Sequence, residues 1–188
     1  MPSNFGALTN LQLLSDFVVG KDKGYQIREL QDLSNLKGSL YISGLENVVE
    51  TEDASKAKIH DKSGLDKLVL DWKSGMKKNR DFENIREDVE QKVLDLLEPS
   101  KQLKKLVIMH YRGLMLAKWV GNSSLTNLES LQLINCTNCL SLPSLGELPL
   151  LKNVVIRRLD SISSVGVEFL GEKTMEPFRA LELLQFED

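Results

Sequence analysis

The chain has 188 residues, and its 24 lysines and arginines against 27 aspartates and glutamates give a formal net charge of −3. Hydrophobic residues make up 41% of it, enough for a chain of this length to bury a core of its own, which excludes a disordered protein. The nearly balanced charge gives no reason to expect nucleic-acid binding or attraction to acidic lipids.

The sequence contains no segment that would insert into a membrane. A membrane-spanning helix needs about 20 predominantly apolar residues, whereas the longest unbroken apolar runs here are four residues, Leu106–Met109 and Leu114–Ala117. Residues 1–6 lack the charged start and the apolar stretch of a secretory signal. We therefore expect a cytoplasmic or nuclear protein. Its two cysteines, Cys136 and Cys139, are too few for a disulfide framework.

An apolar pattern of the form L-x-x-L-x-L recurs along the chain. Its units are Leu8/Leu11/Leu13, Leu40/Ile42, Leu65/Leu68/Leu70, Leu103/Leu106/Ile108, Leu128/Leu131/Leu133, Leu151/Val154/Ile156 and Leu181/Leu184/Phe186. Their successive separations are 29, 28, 38, 25, 23 and 30 residues, close to the period of leucine-rich repeats except for one long interval. Alternation within each unit favours a short strand, and stacked units would form a parallel sheet.

We therefore predict an α/β leucine-rich-repeat solenoid, with a curved parallel sheet on the concave side and short helices and turns on the convex side. About seven irregular repeats would form one domain over residues 1–188, with a helical insertion near 76–99 that explains the long interval.

The segments between the predicted strands differ in character along the chain. Residues 26–33 and 52–62 favour helices, the second with Thr51 as its N-cap. In the insertion, the apolar stripe of a helix that Pro99 ends consists of Ile85, Val89, Val93, Leu96 and Leu97. Later, Leu142-Pro143 and Leu148-Pro149 favour an extended or turn-like return, because proline biases the preceding residue away from helix.

Several stretches resemble the leucine-rich-repeat region of plant intracellular disease-resistance receptors of the coiled-coil, nucleotide-binding class. They are Leu8-Thr9-Asn10-Leu11-Gln12, Phe17-Val18-Val19-Gly20, Ile42-Ser43-Gly44-Leu45-Glu46-Asn47-Val48, Asp53-Ala54 with Ala57-Lys58, Lys62, Leu65-x-x-Leu68-x-Leu70-x-Trp72, Cys136-x-x-Cys139-x-x-Leu142-Pro143-Ser144-Leu145-Gly146-Glu147-Leu148-Pro149 and Val165-Gly166-Val167-Glu168-Phe169. The resemblance implies recognition of a pathogen effector or of a host protein that the effector alters. It also implies restraint of the receptor's nucleotide-binding module and contact with its coiled-coil module.

The chain departs from such receptors in lacking a coiled coil and a phosphate-binding loop. The closest stretch, Gly20-Lys21-Asp22-Lys23-Gly24, has neither the spacing nor the Ser/Thr of that loop. We therefore expect a fragment of a larger receptor that binds no nucleotide or other cofactor itself, with at least one end of its repeat stack uncapped.

Few residues suggest catalysis or metal binding. Cys136-x-x-Cys139 could form a redox pair or half of a zinc site, but no second pair exists, and Cys136 occupies the slot where leucine-rich repeats use Asn or Cys. His60 and His110 belong to no catalytic motif. Acidic residues on the inserted helix alternate with basic ones, as on a solvated face. We expect no enzyme and no metal site.

The predicted concave surface is the candidate contact site, because residues that flank the strand leucines point away from the core. The candidate partner-binding residues are Asp71, Trp72, Lys104, Lys105, Met109, His110, Gln132, Ile134, Asn135, Arg157 and Arg158. An ordinary mixed surface would look similar. A ubiquitin-ligase adaptor or general scaffold built on the same repeats is the alternative function, and an enzyme that uses Cys136 and Cys139 is the weakest hypothesis.

Overall fold

The computed structural model describes residues 5–73, 87–121, 123–162, 164–171 and 176–187. In these ranges the chain forms a seven-stranded parallel sheet whose strands follow one another in sequence order. The strands are β1 (Asp16–Val18), β2 (Lys37–Ser43), β3 (Gly64–Asp71), β4 (Lys105–Met109), β5 (Ser130–Ile134), β6 (Asn153–Arg157) and β7 (Leu183–Glu187). The α-helices are α1 (Thr51–Lys56) and α2 (Glu87–Leu96).

The register of the strands aligns the repeated apolar positions with one another. The first core row places Leu40, Leu68, Leu106, Leu131 and Val154 side by side, and each of them is at most 1% exposed. The second core row, which contains Leu70, Ile108, Leu133 and Ile156, is buried in the same way. The predicted leucine-rich-repeat solenoid is therefore confirmed as the fold.

The predicted position of the first strand is wrong. Leu8 and Leu13 are 49% and 75% exposed, and β1 lies later in the chain, where Phe17 pairs with Ile42 and is 1% exposed. The backbone carbonyl of Gln12 accepts a hydrogen bond from Lys37 N instead. This part of the chain thus contributes Phe5, Phe17 and Val19 to the core, in place of Leu8 and Leu13.

The segments between the early strands are shorter helices than predicted. Residues 26–33 contain only a 3₁₀ helix, Ile27–Leu30. In place of one helix over residues 52–62, the structure has α1 followed by a 3₁₀ helix, Ile59–Asp61. Lys58 separates these two helices because its backbone is left-handed, with φ of 48°. The N-cap of α1 is Glu50, not Thr51, and it makes no side-chain capping bond.

Helix α2 covers part of the predicted insertion, whose residues 76–86 lie outside the described ranges. Its buried side chains are Val93 and Leu94, and Leu97 is buried just beyond its end, whereas Leu96 is 39% exposed and so is not part of the apolar stripe. The indole Nε1 of Trp119 donates a hydrogen bond to the Leu94 carbonyl at 2.9 Å. Because α2 also contacts α1, it belongs to the layer that covers the sheet.

The return from β5 to β6 contains no helix, as the two Leu-Pro pairs predict. Residues 135–152 cross the core in turns and extended chain, and Leu145 and Leu148 fill the space with at most 1% exposure. Further 3₁₀ helices are Phe5–Ala7, Leu45–Asn47, Lys118–Gly121 and Val167–Leu170. None of the helices within the described ranges has the length and apolar character of a membrane span.

Lys62 lies in the core, although lysine is rarely buried completely. It is 0% exposed, and its Nζ donates a hydrogen bond to the Leu30 carbonyl at 2.7 Å. The same carbonyl also accepts a bond from Leu33 N at 3.2 Å. Burial lowers the pKa of Lys62 from 10.5 to about 8, while the charges of Asp61 and Asp32 act in the opposite direction. At neutral pH the folded chain therefore holds a charged ammonium group that is shielded from water, and this lowers the free energy of unfolding.

The lowered pKa of Lys62 predicts that stability rises with pH. Between about pH 8 and 10.5 the folded chain has lost the Lys62 proton while the unfolded chain still binds it, so the free energy of unfolding increases. The whole gain is about 3 kcal/mol. Lys62→Met should remove this rise and be more stable at neutral pH, as measured by urea unfolding at several pH values. An equal rise in the variant would contradict the assignment.

Candidate protein-interaction surface

The face of the sheet opposite the core, called here the open face, carries the residues that alternate with the core rows. Its middle row joins Tyr41, Val69, Val107, Gln132, Val155 and Gln185 on β2 to β7. Val107 and Val155 are only 7% and 8% exposed, because neighbouring side chains of the row cover them. The middle row is thus a shallow, partly apolar floor.

The next row lies where the strands end, and it joins Asp71, Met109, Ile134, Arg157 and Glu187. Beyond it, His110, Asn135 and Arg158 each have a left-handed backbone, with φ of 55°, 55° and 52°. The backbone N–H of each donates to a carbonyl of the following strand at 2.9 Å, which holds this uncommon conformation. Tyr111 and Cys136, one residue further on, are completely buried.

The structure brings six of the predicted contact residues together on β4, β5 and β6. This group, called here the strand-end cluster, consists of Met109, His110, Ile134, Asn135, Arg157 and Arg158. Gln132 lies in the adjoining middle row, whereas Lys104 and Lys105 lie at the opposite end of the strands. The two arginines are exposed and the other four residues are partly buried.

Trp72 does not belong to the candidate surface, contrary to the prediction. It is 1% exposed, and its ring packs edge-on against Tyr111 with centroids 4.9 Å apart. Its backbone does not take the left-handed conformation of His110, Asn135 and Arg158, and its large indole turns into the core. Trp72 is thus part of the core and not of the open face.

A chain of hydrogen bonds crosses four strands beside the strand-end cluster. The Tyr41 hydroxyl donates to Asp71 Oδ2 at 2.5 Å, and Asp71 Oδ1 lies 2.8 Å from His110 Nδ1. His110 Nε2 in turn lies 3.2 Å from Asn135 Nδ2. The backbone N–H of Lys73 also donates to Asp71 Oδ1. The carboxylate of Asp71, 4% exposed as a residue, therefore orients its neighbours and is not itself offered to a partner.

Tyr41 is a further residue of the candidate surface that is absent from the predicted contact residues. The signal was available, because Tyr41 stands between Leu40 and Ile42 and so must face away from the core. Burial raises the pKa of Tyr41 to about 12, and its hydrogen bond to Asp71 adds to this effect. The hydroxyl therefore stays protonated and continues to donate its hydrogen bond near neutral pH.

Ion pairs join neighbouring strands around the open face. Lys104 Nζ lies 2.9 Å from Asp66 Oδ1, and Arg157 Nε lies 2.6 Å from Glu187 Oε2. Lys152 Nζ lies 3.5 Å from Glu129 Oε2. Such exposed pairs contribute little to stability, because water and salt screen the charges. Arg157 is thus already engaged within the sheet, whereas the exposed Arg158 is better placed to meet a partner.

The two cysteines are buried parts of the core. Cys136 and Cys139 are free thiols and 0% exposed. The Cys136 thiol donates to the Ile108 and Ile134 carbonyls at 3.7 Å, and the Cys139 thiol donates to the Gly113 carbonyl at 3.4 Å. Burial raises the pKa of both thiols, that of Cys139 to about 12. Their burial and their hydrogen bonds to backbone carbonyls support a structural role for both thiols.

This burial predicts that the thiols do not react in the folded chain. At about pH 8 a thiol reagent should label neither Cys136 nor Cys139, because each is inaccessible and protonated. In denaturant the same reagent should label two thiols per chain. One thiol that reacts quickly under native conditions would contradict the structural role, as would stoichiometric zinc found by elemental analysis.

The repeated core rows, the consecutive parallel strands and the exposed open face define the class: a leucine-rich-repeat protein with a surface suited to protein contact. A family model described as R13L1/DRL21 leucine-rich repeats matches residues 27–159, and the chain belongs to this family.

Relatives of the chain are disease resistance proteins of plants. It is 38% identical over 183 residues to a putative disease resistance protein of Arabidopsis thaliana. The aligned region covers 94% of this chain and 13% of the relative. It is 39% identical over 167 residues to disease resistance protein RGA2 of Solanum bulbocastanum. This alignment covers 89% of the chain and 16% of the relative. A putative disease resistance RPP13-like protein 1 of Arabidopsis thaliana is 34% identical over 179 residues, covering 92% and 17%. The chain thus spans between 13% and 17% of the length of these relatives.

Proposed function

We propose that the chain is the protein-interaction module of a plant immune receptor. In this proposal it recognises a pathogen effector, or a host protein that the effector has modified, and restrains the nucleotide-binding module of the same receptor. It acts by binding alone, in the cytoplasm or the nucleus, without catalysis and without a cofactor. The relatives are named as disease resistance proteins, and this supports a receptor over a ubiquitin-ligase adaptor.

The observation that carries the proposal is the composition of the strand-end cluster. Met109 and Ile134 offer partly buried apolar surface, while His110, Asn135 and Arg158 surround it with polar groups. Methionine and arginine are among the residue types enriched in protein interfaces. None of the five belongs to the two core rows, so they can determine binding without affecting the fold.

The hydrogen-bond chain makes this surface suitable for specific recognition. Asp71 fixes His110, and His110 fixes Asn135, so two polar side chains of the cluster are ordered before a partner arrives. Ordering a side chain on binding costs about 0.5–1.5 kcal/mol. A surface whose side chains are already ordered binds a partner more tightly through the same contacts, because less conformational entropy is lost on binding.

Substitution of the two arginines tests the proposal. Arg157→Gln with Arg158→Asn removes both charges and suits the backbone, because asparagine tolerates the left-handed conformation at position 158. Capture of the nucleotide-binding module of the parent receptor in a pull-down should weaken by up to about thirtyfold. The melting temperature should change little.

The matched control changes two exposed residues of α2, Asp88→Asn with Lys92→Gln, and should leave capture intact. Capture that survives the arginine variant but is lost in the α2 variant would place the contact on the helix and overturn the proposal.

A further inference from the structure

Two lysines stand directly opposite each other on the open face. Lys67 of β3 and Lys105 of β4 are register partners on adjacent parallel strands. Strand spacing puts their backbones about 4.8 Å apart. Leu68 and Leu106, the next residues along, point into the core, so both lysine side chains point outward. Like charges in direct opposition destabilise a sheet.

On the strands from β2 to β6, the rest of their row consists of hydrogen-bonding groups without negative charge, and the row ends at the apolar Leu183 on β7. This donor row joins Ser39, Lys67, Lys105, Ser130 and Asn153, one residue on each strand from β2 to β6. All five residues are exposed or partly buried. A row that combines two cations, two hydroxyls and an amide is chemically suited to an anionic ligand.

The carboxylates close to the donor row are already paired with other lysines. Asp66 is bound by Lys104, and Glu129 is bound by Lys152. Within the described ranges neither Lys67 nor Lys105 forms an ion pair or a side-chain hydrogen bond. These two positive charges therefore remain for an external carboxylate.

We propose that the donor row binds an acidic, extended segment of the protein partner, with a carboxylate between Lys67 and Lys105. The proposal rests on the function proposed above and adds the chemistry of the partner. The five strands span about 19 Å, which an extended chain at about 3.4 Å per residue crosses with about six residues. Val69 and Val107 in the adjoining middle row would contact apolar side chains of the same segment.

A synthetic peptide of six residues that alternates glutamate and valine serves as the probe. Fluorescence anisotropy of the labelled peptide with the 188-residue chain should show binding at low salt that weakens as the Debye length shortens. Matched peptides with glutamine or lysine in place of glutamate should not bind. Lys67→Gln with Lys105→Gln should weaken binding of the acidic peptide about tenfold.

The control variant, Lys23→Gln with Lys101→Gln, removes the same charge from two exposed lysines outside the sheet and should leave binding within about twofold. Equal weakening by both variants, or no binding of the acidic peptide, would overturn the proposal. The melting temperature of Lys67→Gln/Lys105→Gln should not fall, because the substitution relieves a repulsion, so a lost fold cannot imitate the expected result.

A pull-down of the nucleotide-binding module separates this proposal from the function on which it rests. Capture that is lost in Arg157→Gln/Arg158→Asn but unchanged in Lys67→Gln/Lys105→Gln would overturn the proposal that the donor row binds an acidic segment. The proposed function would not be affected by that result. Capture that survives both variants would overturn the proposed function. Weakened capture in both variants supports both proposals.

Discussion

Every other feature of this protein depends on the lateral alignment of apolar side chains between successive strands. Leu68, Leu106 and Leu131 are buried because each is covered by the same position of the next repeat. On β7, which has one neighbouring strand in the described ranges, Leu184 and Phe186 are 43% and 50% exposed in the same two rows. The pattern alone therefore does not bury these two residues, whereas on the other edge strand, β1, Phe17 is 1% exposed because Phe5 also packs against it.

The same alignment produces the candidate binding surface. Since side chains alternate along a strand, two buried rows require outward rows between and beside them. The left-handed residues at the strand ends then bring His110, Asn135 and Arg158 together, although 25 residues separate the first two in the sequence. The core and the candidate binding surface thus lie on opposite faces of one sheet, so residues of the open face can change without loss of the core.

The central repeats could be predicted from the sequence. Their strong alternation of leucine and valine is compatible with only one choice of the residues that face the core. The first repeat could not be predicted, because Leu8/Leu11/Leu13 and Leu14/Phe17/Val19 both match the pattern, and only the pairing of Phe17 with Ile42 shows where β1 lies. Trp72 follows β3 at the position that His110, Asn135 and Arg158 occupy after β4, β5 and β6, so its place in the repeat does not predict its burial. The Tyr41–Asp71–His110 bonds join residues 30 and 39 positions apart, so only the correct register reveals them.

Cysteine scanning along β5 most directly tests the division of the sheet into a core face and an open face. Single variants Ser130→Cys, Leu131→Cys, Gln132→Cys and Leu133→Cys would be labelled by a thiol reagent under native conditions, against the unreactive background of Cys136 and Cys139. The labelling rate should alternate, with positions 130 and 132 reacting at least about tenfold faster than 131 and 133, because labelling in the core requires local opening. Equal rates at Leu131→Cys and Gln132→Cys would contradict the division into a core face and an open face.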